Sequence, residues 1–311
     1  MTNNSTEQNS PALAGIHGLL SKAIQINPLE IRAFIWSFLY FFSLLCGYYI
    51  IRPVRDALGI TGGVENLQWL FTGTFIVMLA AIPLFGWITS NYPRRKFVPY
   101  VYYFFISNLL LFFILLKLDI NQVYIARAFF IWASVFNLFV VSVFWSFMAD
   151  IYSNEQAKRL FPVIATGGTS GAIIGPLLTA SLVTTVGTGN LLLLSVGFLI
   201  IATICIRKLG NWQEETEIPN ETKNKSASDE VMGGGIFDGV KLVLSSPYLL
   251  AICLFMVFLT TLVTFLYFQQ AEIVRDSFAS REERTAVFAV IDFVVNSLTL
   301  ILQLFVTGRL L

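Results

Sequence analysis

The chain offers little of the chemistry that metal centres and nucleophilic enzymes need. It has one histidine, His17, and three cysteines, Cys46, Cys205 and Cys253. The single histidine lies in the N-terminal segment, ahead of the first apolar run, so neither a histidine-based metal site nor a Ser-His-Asp triad is expected. The cysteines lie far apart inside apolar stretches and read as small buried hydrophobes, neither a disulfide framework nor a metal set. No glycine-rich phosphate loop and no nucleophile–base constellation is present, so neither a cofactor nor enzymatic chemistry is expected. Charge is scarce as well. Only 13% of the 311 residues are Asp, Glu, Lys or Arg, against roughly a quarter in soluble domains. Lys and Arg total 20 against 19 acidic residues, which lacks the concentrated basic surface of a nucleic-acid binder. The first residues, "MTNNSTEQNSPA", have neither the basic start nor the apolar core of a signal peptide. The N-terminus is therefore expected to be uncleaved and cytoplasmic.

What the chain does have is apolar surface. Hydrophobic residues make up 56% of it, with 29 Phe and a mean hydropathy of +0.73. Runs of about 18 or more apolar residues are candidates for crossing a bilayer. Eight such helices are expected, at about 29–52, 67–88, 98–117, 122–149, 161–186, 190–206, 247–269 and 285–308. The fold class is thus all-α integral membrane. With the N-terminus inside, thirteen of the 20 Lys and Arg fall on the inner side and seven on the outer, in line with the positive-inside rule. The protein is expected to be a multi-pass protein of the cell's inner (plasma) membrane, with the lipid bilayer and a small-molecule substrate as its partners.

The segment "GNWQEETEIPNETKNKSASDE" is polar and charged, and such a composition buries too little surface to fold. It reads as a cytosolic linker. The expected organisation is an N-terminal segment (1–28), a six-helix half (29–206), a linker (207–240) and the start of a second half with two helices (241–311). Six helices, a linker and further helices is how a transporter built from two six-helix halves begins. On that pattern the chain is expected to be a truncated form.

Four groups of residues carry candidate chemistry. In "GYYIIRPVRDALGI", Arg52, Arg55 and Asp56 stand at the end of the first expected helix, spaced to share one face. They are either charges snorkelling to the outer headgroups or a site for something anionic. In the eighth helix, Asp292, Asn296, Thr299 and Gln303 fall on one face. An aspartate in a span faces a bundle interior or a watery cavity, so this stripe lines a cavity or clamps two helices. The fifth helix carries "GGTSGAIIGP", with Gly167, Gly168, Gly171, Gly175 and Pro176 giving a smooth face for close helix packing. At the inner end of helix four, Asp150, Glu155, Lys158 and Arg159 form either a solvated loop or a charge network at a gate, with Glu155 and Arg159 spaced to pair. Asn137, Trp145, Gln269, Gln270 and Glu272 are weaker candidates.

Two of these motifs, and one loop, resemble known families. "GWITSNYPRRKF", with Gly86, Arg94, Arg95 and Lys96, resembles the loop signature of the major facilitator superfamily, although Ser90 and Pro93 replace its aspartate and second glycine. "GGTSGAIIGP" resembles that superfamily's glycine-proline motif in the fifth helix. Ile50, Ile51, Arg52, Arg55, Asp56 and Leu58 resemble the end of the first helix in the ATP/ADP translocases of plastids and bacteria, with Arg55 where those carry lysine. The resemblance extends over about 34–311 and implies a major facilitator-type bundle exchanging nucleoside triphosphate for diphosphate. The expected function is an alternating-access antiporter for a small anionic substrate, a nucleotide among the candidates. An importer or exporter of an unphosphorylated metabolite or drug, and an inactive fragment, are the alternatives. The candidate substrate and gating residues are Arg52, Arg55, Asp56, Asp292, Asn296 and Gln303.

Overall fold

The computed structural model describes residues 28–91, 94–118, 121–216, 245–303 and 305. Its elements are eight long helices: α1 (Pro28–Thr61), α2 (Leu67–Asn91), α3 (Arg94–Lys117), α4 (Gln122–Ile151), α5 (Asn154–Val186), α6 (Thr188–Thr216), α7 (Pro247–Ser277) and α8 (Arg281–Leu302). Each holds a stretch long and apolar enough to cross a membrane. A short 3₁₀ turn, Val64–Asn66, joins α1 to α2. Successive helices run in opposite directions. We call the end of the bundle where α1 starts the near end, and the end where α1 and α7 finish and α4 and α8 begin the far end.

Several helices outrun their hydropathy. α1 continues to Thr61 rather than stopping at Arg52, although Pro53 sits inside it. Proline removes one backbone donor, and packed neighbours absorb that loss inside a bundle. α5 starts at Asn154 because Ser153 and Gln156 form a reciprocal capping box. α6 runs ten residues beyond 206, into the stretch read as linker. Trp212 explains the first part of that extension: it is buried, its ring 6.4 Å from that of Tyr152. The rest of the expected linker, the N-terminal segment through residue 27 and residues 306–311 lie outside the described residues.

α1 is the axis of the bundle and lies against α5, α6, α4 and α8. Its closest neighbour is α5. A Cβ added at Gly171 would stand 2.5 Å from the Phe42 carbonyl oxygen, and one at Gly167 2.7 Å from that of Phe38. Gly168 and Gly175 are packed as closely, on Phe41 and on Cys46 and Tyr49, and Pro176 is buried beside them. In lipid, apolar surface gains nothing by leaving its solvent, so such close van der Waals contact and interhelical polar bonds hold helices together. A single residue, Gly187 at φ 84°, turns α5 into α6. A β-carbon is unfavourable at that angle.

Two apolar cores result. The larger joins α1, α3, α4, α5 and α6. The smaller brings Ala57, Leu67, Phe130, Ala271, Val274 and Phe288 together at the far end. α7 is otherwise uncovered, and no residue in its most apolar stretch is buried. Cys253 lies on that stretch and is exposed, whereas Cys46 and Cys205 are buried. The reading of all three as buried hydrophobes thus fails at Cys253, because α7 makes few contacts there.

Candidate functional site

Arg55 and Asp56 are neighbours in sequence and in space. Arg55 donates from Nε (2.9 Å) and Nη2 (2.7 Å) to Asp56 Oδ1. The same oxygen accepts from the Tyr267 hydroxyl of α7 at 2.9 Å. Nη1 of Arg55 reaches Ser134 Oγ of α4 at 3.5 Å, and its guanidinium lies 5.1 Å from the Phe130 ring centre. One turn earlier, Arg52 crosses to α8, with Nη1 3.4 Å from Asp292 Oδ1. Asp292 is 7% exposed, and its Oδ2 has no hydrogen-bond partner.

The partners of Arg52, Arg55 and Asp56 lie well inside their own helices, which bears on the headgroup reading. Ser134 lies twelve residues into α4, Asp292 eleven into α8, and Tyr267 ten before the end of α7. At 1.5 Å per residue the partners on those three helices stand about 15–18 Å inside their far ends, while Arg55 and Asp56 stand about 8–9 Å before the end of α1. Four charges are therefore held in the middle of the bundle, two positive and two negative. Ionised groups at such depth are costly unless paired, and mark pathways for polar cargo.

Beside them a cavity of about 210 Å³ is lined by Arg52, Arg55, Thr74, Ser134, Thr264 and Tyr267, with Phe71, Phe130 and Val263 as apolar walls. Thr74 Oγ1 is buried and has no hydrogen-bond partner. Planar guanidinium groups beside the unpartnered Thr74 hydroxyl suit an oxyanion. The sequence reading missed Thr74, Ser134, Thr264 and Tyr267. Each is a single polar residue in an apolar run, a signal that is legible only when helix pairing is known.

The other candidates are distributed differently. Asn296 donates to the Ala172 carbonyl of α5 at 3.0 Å, clamping α8 to the glycine face. Thr299 bonds its own helix, and Gln303 is exposed and away from the cluster. Gln269, Gln270 and Glu272 lie within α7, not beyond it. The side chains of the loop motif at Gly86, Arg94 and Arg95 lie outside the described residues.

A second polar group sits at the near end. Buried Glu30 of α1 accepts from Gln156 Nε2 at 2.8 Å and pairs with Arg159 at 3.3 Å, both on α5. Arg159 thus reaches across to α1, while Glu155 and Lys158 are exposed. Nearby, Ser37 Oγ and the Tyr152 hydroxyl are 2.8 Å apart. Burial pushes the Tyr152 hydroxyl above its ordinary pKa, so it stays neutral well into alkaline pH.

Buried, balanced charge beside a cavity, among eight membrane-length helices, is the architecture of a membrane carrier. Residues 33–311 match the Major Facilitator Superfamily, and the chain belongs to that family of multi-pass membrane transporters. No curated protein and no solved structure matches it.

Proposed function

We propose that the protein is a secondary transporter for a small anion, working by alternating access around Arg52, Arg55, Asp56 and Asp292. The observation that carries this is the opening of two deep guanidinium groups onto one cavity. Carriers of this kind bind cargo between their repeats near mid-membrane, and the depth of the cluster supports that placement. The cavity supports a compact oxyanion over a nucleotide. At about 210 Å³ it is smaller than the roughly 300–1,000 Å³ pockets of drug-sized ligands. ATP/ADP exchange, which the Ile50–Leu58 motif suggests, is the larger-cargo form of the same reading. The distribution of Lys and Arg supports a cytoplasmic near end and an inner-membrane location.

The test is uptake of labelled anions by proteoliposomes holding the purified chain, with methanesulfonate, inorganic phosphate and ATP offered separately. Saturable uptake of a small anion, lost in Arg55→Ala, is expected. Uptake of ATP alone would transfer the reading to nucleotides. A protein that moves only uncharged or cationic probes would overturn it.

A further inference from the structure

The charges in the cluster do not bind one another equally. Asp56 Oδ1 accepts three hydrogen bonds, from Arg55 Nε, Arg55 Nη2 and Tyr267. Asp292 has one contact at 3.4 Å, to Arg52, and a second oxygen that is buried and unpartnered. Arg52 is also the more open of the two arginines, with 36% of its side chain exposed against 15% for Arg55. If a cargo anion enters the cavity, Arg52 is the cation it can take, and Asp292 is the group left over.

Charge balance sets the response of the cluster to that anion. The cluster holds two cations and two carboxylates and is neutral. Adding one anion leaves a net negative charge deep in the bundle, with Asp292 stranded as an unpaired buried carboxylate. Such a group neutralises itself by taking up a proton rather than bear the desolvation cost. The groups around it provide no substitute cation. From α1 it is faced by Arg52, Arg55 and Asp56, of which both arginines are engaged. α5 contributes no titratable residue between 165 and 183, and neither does α6 between 188 and 196. On α7 the nearest ionisable group is Tyr267, bonded to Asp56, and Glu272, Arg275 and Asp276 lie at least a turn further out. On α8 itself, Arg281, Glu282, Glu283 and Arg284 stand two turns or more away, in the first turn.

We infer that Asp292 is the proton-carrying residue of this transporter, and that each cargo anion crosses with a proton. The inference rests on the anion-carrier reading. In the step itself the Arg52–Asp292 contact breaks, the anion takes the Arg52 guanidinium, and a hydronium ion from the aqueous side gives its proton to an Asp292 oxygen and leaves as water. One negative and one positive charge enter together, so the cluster remains neutral throughout. For a monoanion the cycle carries no net charge across the membrane.

Methanesulfonate is the probe, because it is a strong-acid anion with no proton of its own to bring. In proteoliposomes with a pH-sensitive dye inside and the membrane potential clamped by potassium and valinomycin, its entry is expected to acidify the lumen. An imposed gradient, acid outside, is expected to drive accumulation by about tenfold per pH unit for one-to-one coupling. Changing the clamped potential is expected to leave that accumulation unaltered. In Asp292→Asn, whatever its rate, exchange is expected to lose its dependence on pH. Accumulation that follows the potential and ignores the pH gradient overturns the inference, as does Asp292→Asn with a pH-driven uptake equal to wild type. If Asp292→Asn does not fold, the wild-type dye and gradient measurements decide alone. If wild type moves no anion at all, the anion reading fails and this inference falls with it. Anion movement without protons refutes this inference only.

Discussion

The two ends of α1 are tied in opposite ways. At the near end Glu30 bonds Gln156 and Arg159 on α5, both within the first six helices. Deeper along, Arg52 pairs with Asp292 on α8, and Asp56 accepts from Tyr267 on α7. Further contacts join the first six helices to the last two at the far end: Gln122 with Arg281 at 3.0 Å, Thr188 with Glu282 at 3.2 Å and Glu65 with Arg275 at 3.6 Å. With the close packing of the α5 glycine face on α1, the near-end bonds belong to one body made of α1 and α5. The deeper ones join that body to α7 and α8. In the alternating-access reading proposed above, these deeper contacts are the ones that part as one bundle rocks against the other.

Substitutions can break this contrast, and the largest effect is expected at its centre. Arg55→Ala leaves Asp56 buried without its main partner, a defect worth about 3–5 kcal/mol for a buried pair. Thermal unfolding in detergent measures it, and Arg55→Ala with Asp56→Ala should regain most of the stability but none of the transport. Next is Gly171→Ala, whose methyl meets the Phe42 carbonyl and the Cys46 amide. Overpacking of that kind costs about 1–3 kcal/mol, and an unchanged melting temperature would show that α1 and α5 are free to separate. Tyr267→Phe removes one interhelical bond, worth about 0.6–2 kcal/mol in membrane proteins. It is expected to loosen α7 selectively, read as faster hydrogen exchange in 247–277 than in α5. The smallest effect belongs to the near end. Arg159 is about one-third exposed, and Arg159→Ala is expected to cost only about 0–1 kcal/mol while leaving the pH dependence of transport intact. A large loss of that dependence would erase the distinction between the two ends.

Much of this architecture is legible in the sequence, and the gaps have physical causes. Hydropathy locates all eight helices but truncates those whose ends are polar. α1 passes Arg52 because its charges are paired inside the bundle, and α5 begins early because Ser153 and Gln156 cap it, a spacing that was available to read. Arg55 and Asp56 stand out because charge is rare in an apolar run. Asp292 stands out for the same reason, but nothing in the sequence says that Arg52 is its partner. Asn296 and Gln303 share the Asp292 stripe by periodicity, yet Asn296 turns to the α5 backbone and Gln303 is exposed. Periodicity assigns residues to a face without assigning what that face meets along its length.

Arg55 and Asp56 are adjacent in the chain, so their bond lies within one helix and joins no two helices. Arg52–Asp292 and Tyr267–Asp56 span separate helices and must part whenever those helices do. The cluster therefore combines an ion pair within one helix with bonds between helices. In the proposed cycle one ion pair travels with α1, while the other spans two helices and opens as the anion takes Arg52.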